Sequence, residues 1–155
     1  MSSILIVLKS FSVLVLLFGL LTQAAPALER RQIGNLQCNI NRVQIITSLA
    51  QLDSAVQDLS ADVASNATAA AAVTTAQGGI AEAEGGVRTI LLALFTGQQA
   101  PEAARGQVEA GLDTVDNALG NLTLSDATAT AALNKSLTFL QMAGEAGNGV
   151  LANCN

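Results

Sequence analysis

Histidine, tryptophan and tyrosine are absent from the 155-residue sequence. Without histidine there is no imidazole to serve as a general base near neutral pH, no Ser-His-Asp or Cys-His arrangement, and no histidine ligand for a metal ion. Cysteine is scarce, with only Cys38 and Cys154. The two lack CxxC spacing and have no neighbouring imidazole to lower a thiol pKa, which argues against a reactive thiol pair. Lysine and arginine number seven against twelve acids, so no basic patch is available to neutralise phosphates, and nucleic acid is excluded as a partner. Electrostatic attachment to an anionic membrane is disfavoured on the same ground.

The remaining candidates for acid–base chemistry are carboxylates. Asp53 with Asp58, Glu82 with Glu84, and Asp113 with Asp116 occur in pairs. They fall largely off the apolar positions, as on a solvated face, whereas a catalytic carboxylate needs a partly desolvated cleft. The expectation is a protein that is not an enzyme and has no cofactor and no metal.

What is present begins with a leader. Lys9 precedes an apolar run from Val13 to Leu17 that continues through Phe18 and Leu21 to the small residues Ala24, Ala25, Pro26 and Ala27. This is the pattern of a signal peptide over residues 1–27, with cleavage after Ala27 favoured over Ala24. The apolar core is too short for a comfortable transmembrane anchor. Leu28, Glu29, Arg30 and Arg31 follow, a short propeptide over residues 28–31 ending in a dibasic pair of the kind cut by kexin-like processing proteases. The mature chain then begins at Gln32, which can cyclise to pyroglutamate. Residues 32–155 keep four bases and eleven acids, a net charge of −7, and are long enough to bury the core of one domain. The expected location is secreted, either extracellular or associated with the cell wall.

Apolar residues in the mature chain recur with alternating steps of three and four, which keeps them on one face of a helix. Ile45, Leu49, Leu52, Val56, Leu59 and Val63 form the first stripe. Val73, Ala76, Ile80, Ala83, Val87, Ile90 and Leu94 form the second, and Val108, Leu112, Val115, Leu119 and Leu122 the third. The fourth reads Leu133, Leu137, Leu140, Gly144, Gly147 and Leu151, with two glycines thinning its end. Ser65 and Asn66, Gly97 and Pro101, Gly120 and Asn121, and Ser125 with Asp126 supply the breaks and caps. Connections this short make sequential helices antiparallel. The expected fold is all-α, an up-down-up-down four-helix bundle.

In that topology the start of the first helix and the end of the last meet at one end of the bundle, where Cys38 and Cys154 lie. An even pair of cysteines at such positions in a secreted chain reads as a disulfide joining the termini. Gly78, Gly79, Gly85 and Gly86 complicate the second segment, since an interior helical glycine costs about 1 kcal/mol relative to alanine. Either Gly79, Ala83 and Gly86 form a small-residue ridge on a continuous helix, or the segment breaks at Gly78 and the domain has five helices.

Three sequons, at Asn66, Asn121 and Asn134, are candidates for N-glycosylation. All three fall toward the end opposite the cysteines, which leaves Leu94, Phe95 and residues 97–100 as the free contact surface. Ala67 to Ala76 and Ala127 to Ala132 are rich in Ala and Thr, and Phe95 and Phe139 are the only aromatic residues after the leader. Either this composition packs an ordinary tight bundle, or the bundle opens an apolar seam onto a lipid or hydrophobic surface.

The leader, the dibasic site, the Ala/Ser/Thr-rich helices and the lack of catalytic residues together resemble small secreted fungal proteins, in particular the hydrophobic surface-binding protein A and cell-wall galactomannoprotein group. The likeness extends over Gln32 to Asn155 through composition and helical pattern, without a diagnostic motif. It implies a helical domain associated with a cell wall, a hydrophobic surface or a bound lipid. The two terminal cysteines depart from that pattern. The alternative function is a secreted protein-interaction module or effector without a small-molecule ligand, and the partner in either case is a lipid or hydrophobic surface, a cell-wall polymer or a protein. The final residues Val150 to Asn155 lack the hydrophobic tail of a lipid-anchor signal.

Overall fold

The computed structural model describes residues 36–154. The leader over residues 1–27, the segment 28–31 with Arg30 and Arg31, and Gln32 lie outside the described residues. Four helices follow one another: α1 (Leu36–Asp62), α2 (Ala67–Phe95), α3 (Glu102–Leu119) and α4 (Ala127–Asn153). Among the described residues there is no strand, and no helix is long and apolar enough to cross a membrane.

Side chains at the breaks set the helix ends. Asn66 accepts a hydrogen bond from the Ala69 backbone N–H at 3.1 Å, and Asp126 accepts one from Ala129 N–H at 2.9 Å. Each satisfies a donor that the first helical turn leaves without an intrahelical partner. α2 is terminated two residues past Phe95 by Gly97, whose φ of 73° suits a residue without Cβ. There Gln98 N–H donates to Ala93 C=O and Gly97 N–H to Leu94 C=O, the paired bonds of a Schellman motif. Pro101 stands one residue before α3 as its N-cap, where its missing N–H costs nothing. The many threonines are accommodated by donating to the carbonyl four residues back, as Thr74 does to Ala70 and Thr138 to Asn134.

The bundle's four sides are unequal. α1 packs most closely on α4 and α2 on α3, while the contacts of α1 with α2 and of α3 with α4 are much sparser. Small residues explain the close pairs. On the buried faces, Asn41, Ser48 and Ala55 repeat every seven residues in α1, and Ala129, Ser136 and Ala143 do so in α4. In α2, Gly79 and Gly86 are buried at the same spacing, as are Ala104 and Gly111 in α3. A seven-residue repeat holds one face toward one neighbour, and short side chains let two backbones approach.

That approach shows at the glycines. A Cβ placed on Gly111 would lie 2.5 Å from the Gly79 carbonyl oxygen and 2.6 Å from the Ala83 nitrogen. One placed on Gly86 would lie 2.7 Å from the Ala104 carbonyl oxygen. α2 is therefore continuous through Gly78 and Gly79, with the ridge of Gly79, Ala83 and Gly86 against α3, and the five-helix alternative does not occur. Gly111→Ala is expected to destabilise the fold by about 1–3 kcal/mol through overpacking of backbone on backbone. Gly78→Ala, where a new Cβ meets nothing within 4 Å, is expected to stabilise it by about 1 kcal/mol. Urea denaturation of both variants checks the pair, and equal effects at the two positions would contradict the close approach.

The buried core lies away from the cysteines. Leu49, Leu52, Val56, Leu59 and Val63 of the α1 side meet Val73, Ala76 and Ile80, Val115 and Leu119, and Leu133 and Leu140. The stripes continue toward the other end, but there Ile45, Val87, Ile90, Leu94 and Leu112 are only half-buried and Leu151 is exposed.

Candidate functional site: the cavity at the disulfide end

Cys38 and Cys154 are bonded, with Cα atoms 5.1 Å apart and a sequence separation of 116 residues. Cys38 is fully buried, whereas Cys154 is half-buried and forms part of a cavity wall. The bond joins the first turn of α1 to the residue that follows α4, which fits an even number of alternating helices.

Beside it, where the four stripes lose their burial, lies a cavity of about 770 Å³. This falls within the usual range of about 300–1,000 Å³ for small-molecule sites. Ile45 on α1, Val87, Ile90 and Leu94 on α2, Val108 and Leu112 on α3, and Gly144 and Gly147 on α4 line it. All four helices contribute, so the space lies between the α1·α4 pair and the α2·α3 pair.

Its origin can be read at the level of single residues. α4 continues the spacing of Leu133, Leu137 and Leu140 with Gly144 and Gly147, where the stripe calls for large side chains. A Cβ added at either glycine would meet nothing within 4 Å. These glycines therefore differ from Gly79, Gly86 and Gly111, where the neighbouring backbone leaves no room. Each loses helix propensity, on the order of 1 kcal/mol, without allowing any closer packing, and what each leaves behind is space.

Polar groups stand at the margin of the cavity: Arg42, Arg105, Glu109, Asp113, Gln98 and Gln99. Arg42 is half-buried and donates to Asn39 Oδ1 at 3.2 Å, while Arg105, Glu109 and Asp113 are exposed. One turn above Ile45, the buried Asn41 accepts from Gln37 Nε2 and packs against Gly149 so tightly that a Cβ there would lie 2.5 Å from its amide nitrogen.

Around this end large apolar side chains stand exposed among polar ones. Phe95 is 92% exposed, Leu36 77%, Leu92 64%, Val43 61% and Leu151 59%. All the exposed large apolar side chains among the described residues lie on this side, between Leu36 and Ile46 on α1, Leu91 and Phe95 on α2, and Met142 and Leu151 on α4. Charge is distributed the opposite way. Within about three turns of this end of each helix, three arginines (Arg42, Arg88, Arg105) face three glutamates (Glu102, Glu109, Glu145), and Asp113 at the cavity margin leaves this end with a net charge of −1. The remaining seven acids and Lys135 place a net charge of −6 on the rest of the domain.

The other residues singled out in the sequence lie elsewhere. Asn66, Asn121 and Asn134 are all exposed, and the order of the helices puts them toward the core end. Asn66 caps α2 through Oδ1; a glycan would attach to Nδ2 and leave the cap intact. Of the paired carboxylates, Asp58, Glu82, Glu84, Asp113 and Asp116 are exposed, and the half-buried Asp53 accepts from Gln57 Nε2 at 2.6 Å. Among the described residues no group of three or more His, Cys, Asp or Glu is placed to hold a metal ion. Compared with known proteins, the chain matches no family model, no curated protein and no solved structure.

Proposed function

We propose that this chain is a secreted, non-catalytic helical protein that takes an apolar molecule, such as a lipid acyl chain, into the cavity at its disulfide end. The observation that carries the reading is the pair Gly144 and Gly147, which stand at core positions of α4, face open space, and line a cavity whose other walls are mainly apolar. A packed bundle gains about 1.5–3 kcal/mol for each large apolar side chain it buries, and this one forgoes that gain at two successive positions of one seam.

The exposed apolar side chains around the same end support the second half of the reading. That end also turns toward a hydrophobic surface, at the fungal cell wall or outside the cell, when the molecule is taken up or released. Glycans on Asn66, Asn121 and Asn134 would stand clear of it. The signal peptide and the Arg30–Arg31 site belong to this proposal as its route of secretion.

Organic extraction and mass spectrometry of the purified secreted protein test the reading. The expected result is a lipid or other apolar compound in near-stoichiometric amount. A protein that is empty, and that also fails to bind phenylnaphthylamine or to adsorb to hydrophobic beads, would instead favour an effector or protein-interaction module.

A further inference from the structure

Where the two helix pairs are held together, and where they are not, is set by the topology. Within the α1·α4 pair, contacts are dense, Asn41 packs against Gly149 and the Cys38–Cys154 bond joins the ends. Within the α2·α3 pair, Gly79 and Gly111 bring backbones into contact, and residues 96–101 connect the helices. The two connections that pass from one pair to the other, residues 63–66 and 120–126, both lie at the core end. So does most of the buried core, including Leu52, Leu59, Val73, Val115 and Leu119. Among the described residues no connection passes between the pairs at the cavity end, and the disulfide, although located there, lies inside one of them.

From this arrangement we infer that the cavity, already open on one side, widens by separation of the α1·α4 and α2·α3 pairs about a hinge at the core end, so that an apolar chain enters along the seam between them while the disulfide stays intact. The inference rests on the proposed binding of an apolar molecule and adds the route by which it is loaded. Each pair moves as a unit because its internal contacts are close, backbone against backbone in α2·α3 and tied by the disulfide in α1·α4. The seam between the pairs is sparse in contacts and interrupted by the cavity. The disulfide prevents α4, whose last turns carry Gly144, Gly147 and Gly149, from peeling away from α1. The wall of the cavity thus keeps its shape while its mouth widens.

Paired spin labels read this motion with or without a ligand. Ile46→Cys with Leu92→Cys spans the seam at the cavity end, Ala61→Cys with Ala71→Cys spans it at the core end, and Val43→Cys with Leu151→Cys lies inside the α1·α4 pair; all six positions are exposed. The expected result is a broad distance distribution for the first pair alone, which narrows or shifts when phenylnaphthylamine is added. A distribution at Ile46 and Leu92 as narrow as at Ala61 and Ala71, unmoved by the probe, would overturn the hinge.

A second measurement uses the rate of probe uptake. Bridging Ile46→Cys and Leu92→Cys with a short bismaleimide is expected to slow phenylnaphthylamine association by about tenfold or more, whereas Cys38→Ala with Cys154→Ala changes the rate far less. If the bridged protein takes up the probe as fast as the unbridged one, or if loss of the native disulfide accelerates uptake more than bridging slows it, the route is wrong. Failure of the protein to bind the probe at all, with the Ile46–Leu92 distribution still broad, would remove the proposed ligand and leave the hinge standing.

Discussion

Replacing Cys38 and Cys154 together by alanine is expected to lower folding stability by about 4 kcal/mol. The bond closes a loop of 116 residues, and in the chain-entropy account such a closure removes about 4–5 kcal/mol of freedom from the unfolded chain. The loss has a structural counterpart. α1 and α4 form one of the two close pairs yet are the most distant helices in sequence, so their association carries the full cost of bringing the chain ends together. Urea denaturation of the variant against the oxidised protein measures the effect, and the reduced wild type should match the variant if the cross-link rather than side-chain packing is responsible. A difference below about 1 kcal/mol, the size of a single ordinary substitution, would mean that α1 and α4 hold together without the bond.

Filling the cavity should act in the opposite direction on stability and abolish binding. Gly144→Leu and Gly147→Leu each restore helix propensity, about 1 kcal/mol, and each moves a leucine side chain into space lined by Ile45, Ile90 and Leu112. Burial of that side chain contributes about 1.5–3 kcal/mol when complete. The cavity is open on one side, so a gain of about 2 kcal/mol per site is expected. Phenylnaphthylamine binding should be lost in the double variant. A substitution that damages a protein usually weakens both folding and binding, whereas here the two should separate. Gly106→Ala is the control: a Cβ there also meets nothing within 4 Å, but the position is outside the cavity, so it should add helix stability and leave binding unchanged. Binding that survives when Gly144→Leu and Gly147→Leu are combined would place the ligand elsewhere.

Much of this architecture is legible in the amino-acid sequence because its strongest signal is the three-and-four spacing of large apolar residues. That spacing locates α1 to α4, and Asn66, Gly97 and Asp126 mark their ends through capping chemistry that depends on local sequence. The pairing of Cys38 with Cys154 follows from the even number of alternating helices. The unequal sides of the bundle are harder to read. They depend on a second periodicity, Asn41, Ser48 and Ala55 with Ala129, Ser136 and Ala143, written in small and polar residues that look like ordinary helix formers. Gly79 had a visible role as part of a ridge, but nothing in the chain alone says that Gly111 is the residue it meets.

The cavity illustrates the same limit. In sequence, Gly144 and Gly147 appear as a weakening of the last stripe. Whether a missing side chain becomes a void depends on what stands at the same level on three other helices. Here Ile45, Val87, Ile90 and Leu112 line the space without filling it, a property of the assembled bundle rather than of any one segment. The exposed apolar residues from Leu36 to Ile46 become a surface only when α1 is set beside Phe95 and Leu151 at one end.

Methyl NMR of isoleucine-, leucine- and valine-labelled protein, titrated with an acyl-chain ligand such as dodecanoate, tests the central claim most directly. Ile45, Val87, Ile90, Leu94 and Leu112 should shift and show intermolecular contacts with the chain methylenes, while Leu52, Val56, Leu59 and Val73 in the core stay in place. Shifts confined to exposed methyls such as Leu36 and Leu92, with the five cavity residues unmoved, would contradict the claim that this bundle holds its ligand inside.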